Sequence, residues 1–268
     1  MDFLGSNGWV ASVRIEGHEP SRSHEKAMAI VGLAIDVIGL RFPLDAARLF
    51  TKTGRQHLFH EVRLASRPSG GFLRGWSASP AGIGDRPGAF RMKMKAEQAF
   101  LVAAGMLLTE YLASRNNGKA VHFVERWANA LYWFGEARRE PSDFIAIVDY
   151  GCAADGISGA GGAVNSMIEF AAAALGSPAV PSATEGLSVA DAVRRVYAEG
   201  RNKIAHGEVS GLLEDHSETR KIGDNLVVAL LNEVTPIIAD LLAVQDKMLE
   251  IGEAHAYRAL KVRMNARA

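Results

Sequence analysis

Val196-Tyr-Ala-Glu-Gly-Arg-Asn-Lys-Ile-Ala-His-Gly-Glu208 closes an apolar-periodic stretch that begins near Leu187. Val189, Val193, Val196, Tyr197 and Ile204 recur at helical spacing, which predicts a helix over 188–206. Gly207 follows as a natural helix terminator, so His206 is expected in the last turn. Asn202 and His206 stand four residues apart and share a helix face. Arg201 is one position round, with a stem long enough to reach the same place. Histidine can move protons near neutral pH, and arginine grips phosphate with a planar fork. Asparagine can orient either group. Arg201, Asn202 and His206 are therefore a candidate site for phosphate chemistry. The plainer reading of the same residues is a helix end with a solvated arginine.

Working outward, the pattern is helical from Lys95 to the end. Apolar stripes cover 97–113, 121–138, 144–157, 164–175 and 218–257, with Asn116-Asn-Gly118, Pro141-Ser-Asp143 and Gly159-Ala-Gly-Gly162 as breaks. Pro236 is expected to kink the last of these. Trp127, Tyr132, Trp133 and Phe134 lie at helical spacing and read as core. The first ninety-five residues look different. Segment 8–16 has β-type content, 23–40 carries a helical stripe, 56–65 and 71–78 read as short strands across a Pro-Ser-Gly-Gly turn, and 79–89 reads as a linker. The expected class is α+β: a small mixed strand/helix module of unknown role over 1–95, then a helical bundle over 96–268.

The chain has 268 residues and no net formal charge, with 48% hydrophobic and 22% charged residues, which is ordinary globular composition. The charge is unevenly spread. Residues 1–95 hold 14 basic and 8 acidic residues, and 96–268 hold 16 and 22. A basic module can contact nucleic-acid phosphates, or dock on the acidic half of the same chain. The single cysteine, Cys152, excludes an internal disulfide, fits a reducing cytoplasm, and reads as a packed thiol. Neither a signal peptide nor a membrane span is read. His57, His60 and Glu61 have the wrong spacing for a zinc helix, so no metal is expected. The glycines at 159–162 match neither nucleotide fingerprint, so no cofactor is expected. Trp76, beside Arg74, could stack on a base but reads more plainly as packed.

The segment Asp191-Ala-Val-Arg-Arg-Val-Tyr-Ala-Glu-Gly-Arg-Asn-Lys-Ile-Ala-His-Gly resembles the Arg-Asn-x-x-x-His motif of the HEPN superfamily of metal-independent ribonucleases. It is closest to the Apea-like branch, over roughly residues 120–250. A second place of likeness is 146–157. Its step Ala153-Ala154-Asp155 stands where the family has Ala-Leu-Glu, with Asp149 as a second candidate for the carboxylate. The resemblance implies a helical fold and an endoribonuclease in which His206 transfers protons, Arg201 offsets charge on the phosphate oxygens, Asn202 orients the phosphate or His206, and Asp155 positions Arg201 or His206. It also implies a homodimer with two copies of the motif in one cleft, RNA as the partner, and a toxin or anti-phage role held in check by a regulatory or antitoxin partner. The alternative is a non-catalytic HEPN module that binds RNA or dimerises within a defence or regulatory assembly.

Overall fold

The computed structural model describes residues 11–43, 60–66, 72–78, 87–117, 122–176, 187–208, 214–244 and 252–266. It is about 81% helical, which overturns the expected α+β class and its mixed N-terminal module. Residues 11–16, in the stretch read as a strand, form none. Alternation makes a strand only where a partner supplies the ladder, and none of the described residues does. The strands among the described residues form one hairpin of β1 (His60–Ser66) and β2 (Phe72–Ala78), paired antiparallel with Val62 opposite Trp76. Two strands paired with each other do not form a sheet layer.

The N-terminal helix α1 (Pro20–Gly39) belongs to the bundle. Pro20 sits in its first turn, where no N–H is needed, and Leu33 and Val37 are buried. It packs on α3 (Gln98–Asn117) and α4 (His122–Arg139). Just beyond it, Arg41 bonds Asn232 at 2.8 Å and Glu97 at 2.5 Å, so part of the basic segment does dock on the acidic half. Helix α2 (Pro87–Ala96) precedes α3, so the region read as a linker ends in a helix. Helix α5 (Asp143–Ser158) runs back along α4, with Ser142 as its N-cap, accepting from the Ile145 N–H. Helix α6 (Val164–Leu175) follows.

Helix α7 (Val189–Val193) continues directly into a wide-turned π-helical segment, Arg194–Asn202, and then α8 (Lys203–Ala205). The long helix α9 (Ser217–Ala243) lies against α3, α4, α5 and α6. It is long and apolar enough to cross a membrane by length and composition, and more than half of that apolar window is buried in the bundle. Pro236 lies inside it. Among the described residues the expected run to 257 is divided, with α9 ending at Ala243 and α10 covering Glu253–Asn265.

Phe123, Trp127, Leu131, Phe134, Tyr150, Met167, Phe170, Val196, Leu226 and Leu230 fill the core. Trp127 and Phe134 are buried as the spacing suggests, and the Trp127 indole N–H donates to Thr235 Oγ1 at 2.8 Å. Tyr132 and Trp133, also read as core, are 44% and 39% exposed and meet edge to face on the outer side of α4. A helix four or five turns long presents aromatics to the core only along one stripe, and these two lie off it.

A buried ion node fixes α4, α5 and α9 to one another. Arg138, only 4% exposed, donates from Nε and Nη2 to both oxygens of Asp224, at 2.6 and 2.9 Å. Its Nη1 reaches the Gly39 and Phe42 carbonyls, and its Cζ sits 4.4 Å from the centre of the Phe134 ring. Tyr150 donates its hydroxyl to Asp224 Oδ1 at 2.8 Å.

Candidate functional site

The motif helix ends as its sequence requires. Gly207 has φ +69°, its N–H bonds the Ile204 carbonyl at 3.1 Å, and the Glu208 N–H bonds the Lys203 carbonyl at 2.9 Å. These two bonds form the glycine-terminated cap that satisfies the last carbonyls. His206 is the residue before the turn. Its N–H bonds the Asn202 carbonyl at 3.0 Å, so 202 and 206 stand one α-turn apart. The His206 side chain is exposed, and no hydrogen bond or ion pair to its ring is formed among the described residues.

Arg201 is placed by close helix contact. The π segment lies directly on α5, where Gly151 and Ile147 face Arg201 and Gly200. Arg195 holds the segment's start to α9, through Thr219 Oγ1 at 3.4 Å and Glu218 at 3.1 Å. The Arg201 stem lies over Gly151. Its Cζ is 5.2 Å from the centre of the Tyr197 ring, and Nη1 donates to Asn202 Oδ1 at 2.9 Å. Nε is buried without a hydrogen-bond partner. No carboxylate lies within ion-pair distance of Arg201 among the described residues. A guanidinium has five donors, so several of these remain for a ligand.

The two candidate carboxylates do different things. Asp155 accepts the Gly162 N–H at 2.9 Å and faces the Tyr197 hydroxyl. It forms no ion pair with Arg201 or His206, so it supports the site through Tyr197 and the 159–162 turn. Asp149 is half-buried on α5, toward Glu136 of α4 and Glu140 just past its end. Burial, and then repulsion by those two carboxylates, pushes it up to about 6. Tyr197 is 2% exposed. Burial and the Asp155 carboxylate raise its phenol, and Arg201 opposes them.

Two residues of the site carry no functional signal in the sequence. Gly151 shows nothing there except that it is a glycine in the middle of an apolar helix. Cys152 reads there as a packed thiol. In the structure it is half-buried, and its sulfur lies beside the Arg201 guanidinium; burial raises the thiol and Arg201 lowers it. Among the described residues, no group of three or more His, Cys, Asp or Glu is arranged to hold a metal ion. The side chains of His57, His60, Arg74 and Trp76 lie outside what is described.

No protein-family model, no curated protein and no solved structure matches this chain.

Proposed function

We propose that the chain is an endoribonuclease that cleaves RNA by attack of the substrate's own 2′-hydroxyl. One observation carries the reading. Near the end of one helical run stand a histidine whose ring is unengaged among the described residues and an arginine that has no carboxylate partner among them and donates to the asparagine beside it. In this reading a base takes the 2′-hydroxyl proton while the 2′-oxygen attacks phosphorus. The bond from phosphorus to the 5′-oxygen breaks, and an acid protonates that oxygen. The products are a 2′,3′-cyclic phosphate and a 5′-hydroxyl. His206 is the proton-transfer group. Arg201 offsets charge on the non-bridging oxygens, and Asn202 holds the arginine. One chain carries one such histidine and the step needs both a base and an acid, so the proposed working unit is a homodimer with its two motif ends together. The likeness to HEPN ribonucleases rests on the residues of the motif and of segment 146–157.

The test is incubation of the purified protein with total RNA in EDTA, beside His206→Ala, with analysis of the cut ends. Cyclic or 3′-phosphate ends that vanish in the variant support the proposal. Cleavage that is lost in EDTA and restored by Mg²⁺ overturns it. The packing of the Arg201 stem, and its bonds to its own helix, favour as a second reading a module that binds RNA without cutting it. Salt-dependent binding with no cut ends would select that reading.

A further inference from the structure

We infer that Gly151 is a positioning residue for Arg201: the space left by its missing side chain holds the arginine stem and sets the direction in which the guanidinium leaves the helix. The consequence for cleavage rests on the reading of Arg201 proposed above, whereas the positioning itself does not. A Cβ at position 151 would lie 2.5 Å from Arg201 Cβ and 2.8 Å from its Cγ. These are the two stem atoms nearest the backbone, and rotation cannot swing the first of them away. The π segment cannot simply retreat. At the preceding residue, Gly200, a Cβ would meet Ile147 Cγ2 at 2.6 Å and the Arg195 carbonyl at 3.0 Å, so two consecutive residues of the segment rest on one stripe of α5. Arg195 is tied to α9, and the Tyr197 ring under the guanidinium is buried.

A glycine inside a helix is unfavourable relative to alanine, so a buried one at the centre of α5 requires a reason. The Arg201 stem supplies it. The wide turn adds to this. π-type windings are rare and cluster at functional sites, and here the wide-turned segment sets Gly200 against Ile147 and Arg201 against Gly151 of α5.

The experiment uses the full chain as Gly151→Ala, Arg201→Gly and the double variant. Cys152 is the only cysteine, and its thiol feels the Arg201 guanidinium. The pH dependence of its alkylation by iodoacetamide therefore reports where Arg201 is. Gly151→Ala is expected to move that profile to higher pH, as Arg201→Gly does, and the double variant no further than Arg201→Gly. RNA cleavage should fall in Gly151→Ala by about 10²-fold, in kcat more than in KM, as expected for a misplaced group. An unchanged alkylation profile in Gly151→Ala overturns the inference. So does a shift of equal size whether or not the arginine is present, which would be a direct effect of the added methyl on the neighbouring thiol. If Gly151→Ala does not fold, the double variant should, because its added methyl meets no stem; a double variant that also fails overturns the inference. Coupled alkylation profiles in a protein that does not cut RNA would uphold the positioning and defeat the ribonuclease reading.

Discussion

Two arginines meet helix α5 at successive residues, and they are treated in opposite ways. Arg138 meets the helix at Tyr150, through the Asp224 carboxylate that both share. It is buried with both carboxylate oxygens, two carbonyls and an aromatic face around it. Arg201 meets the helix at Gly151, with one amide oxygen, one ring and a buried Nε that has no partner. A buried charge is tolerable only when it is compensated. Arg138 satisfies that rule within the fold. Arg201, half-buried, keeps donors in reserve at the end of a helix. The difference separates an arginine that holds the bundle together from one that is available to a ligand.

The largest effect should come from the first arginine. Asp224→Ala leaves the Arg138 guanidinium buried and uncompensated and removes the acceptor of the Tyr150 hydroxyl. Breaking such a pair costs about 3–5 kcal/mol. In a chain of this size that is a fall in Tm of roughly 10 °C, read by thermal or urea unfolding. A loss under about 1 kcal/mol would place the node among weak surface pairs and break the comparison from its structural side.

The second arginine and its histidine should show the reverse. His206→Ala is expected to lower RNA cleavage by about 10²–10⁴-fold, with an unfolding midpoint close to the parent's because its ring has no described partner. Arg201→Ala should lose cleavage comparably, with a small stability change from its packed stem. If either variant unfolds as readily as Asp224→Ala, the residue is structural and the functional reading fails.

Only half of this contrast is legible in the sequence. Gly207, the 3.6-residue spacing before it and the Arg201-Asn202-His206 set can be read, because helix ends and faces are local properties. The 164–175 helix is legible for the same reason, with glycines at the borders of an apolar run. The Arg138–Asp224–Tyr150 node is not, since Asp224 lies 86 and 74 residues from its two partners and charged residues on an expected helix look solvated. The same limit hides Gly151, whose role exists only where a second helix crosses it. The wide turn at Arg194–Asn202 leaves no mark in the apolar pattern. The resemblance assigns Asp155 to Arg201 or His206, but the carboxylate faces Tyr197 and the Gly162 N–H. The N-terminal module fails for a different reason. Alternation signals a strand only when a partner strand exists, and the stripe of α1 does not reveal that its apolar face belongs to a bundle more than fifty residues further on.

A smaller effect tests how firmly the His206 end is held. Gly207 has a left-handed backbone with nothing near its Cβ position, so Gly207→Ala carries conformational strain alone. The expected cost is about 1–2 kcal/mol, or fraying of the last turn instead. Hydrogen exchange at the His206 and Glu208 amides distinguishes the two. Unchanged protection, stability and cleavage together would mean that the cap does not hold His206 in place.

The smallest effect concerns Asp149, which sits on α5 just before Tyr150 and forms no ion pair among the described residues. It is the anionic counterpart of Arg201: a charge kept near the site without compensation, beside Glu136 and Glu140. Its folded value is raised to about 6 from an ordinary 3.8. The fold therefore favours the protonated form. That contribution to stability is fully present below about pH 4 and is lost as pH rises through 6. Asp149→Asn removes the penalty. The variant should match the parent near pH 4 and become more stable between pH 4 and 6. It should stay so above that, by roughly 1 kcal/mol once solvent screening of a half-exposed group is allowed for. Urea midpoints at unit pH steps measure this. A difference independent of pH would show that Asp149 is solvated like a surface carboxylate. The same substitution removes a negative charge that opposes ionisation of the Cys152 thiol, so Cys152 should alkylate at lower pH. Stability and thiol reactivity thus move together only if the Asp149 charge reaches Cys152, where it opposes the effect of Arg201, and an unmoved thiol would uncouple the carboxylate from the site.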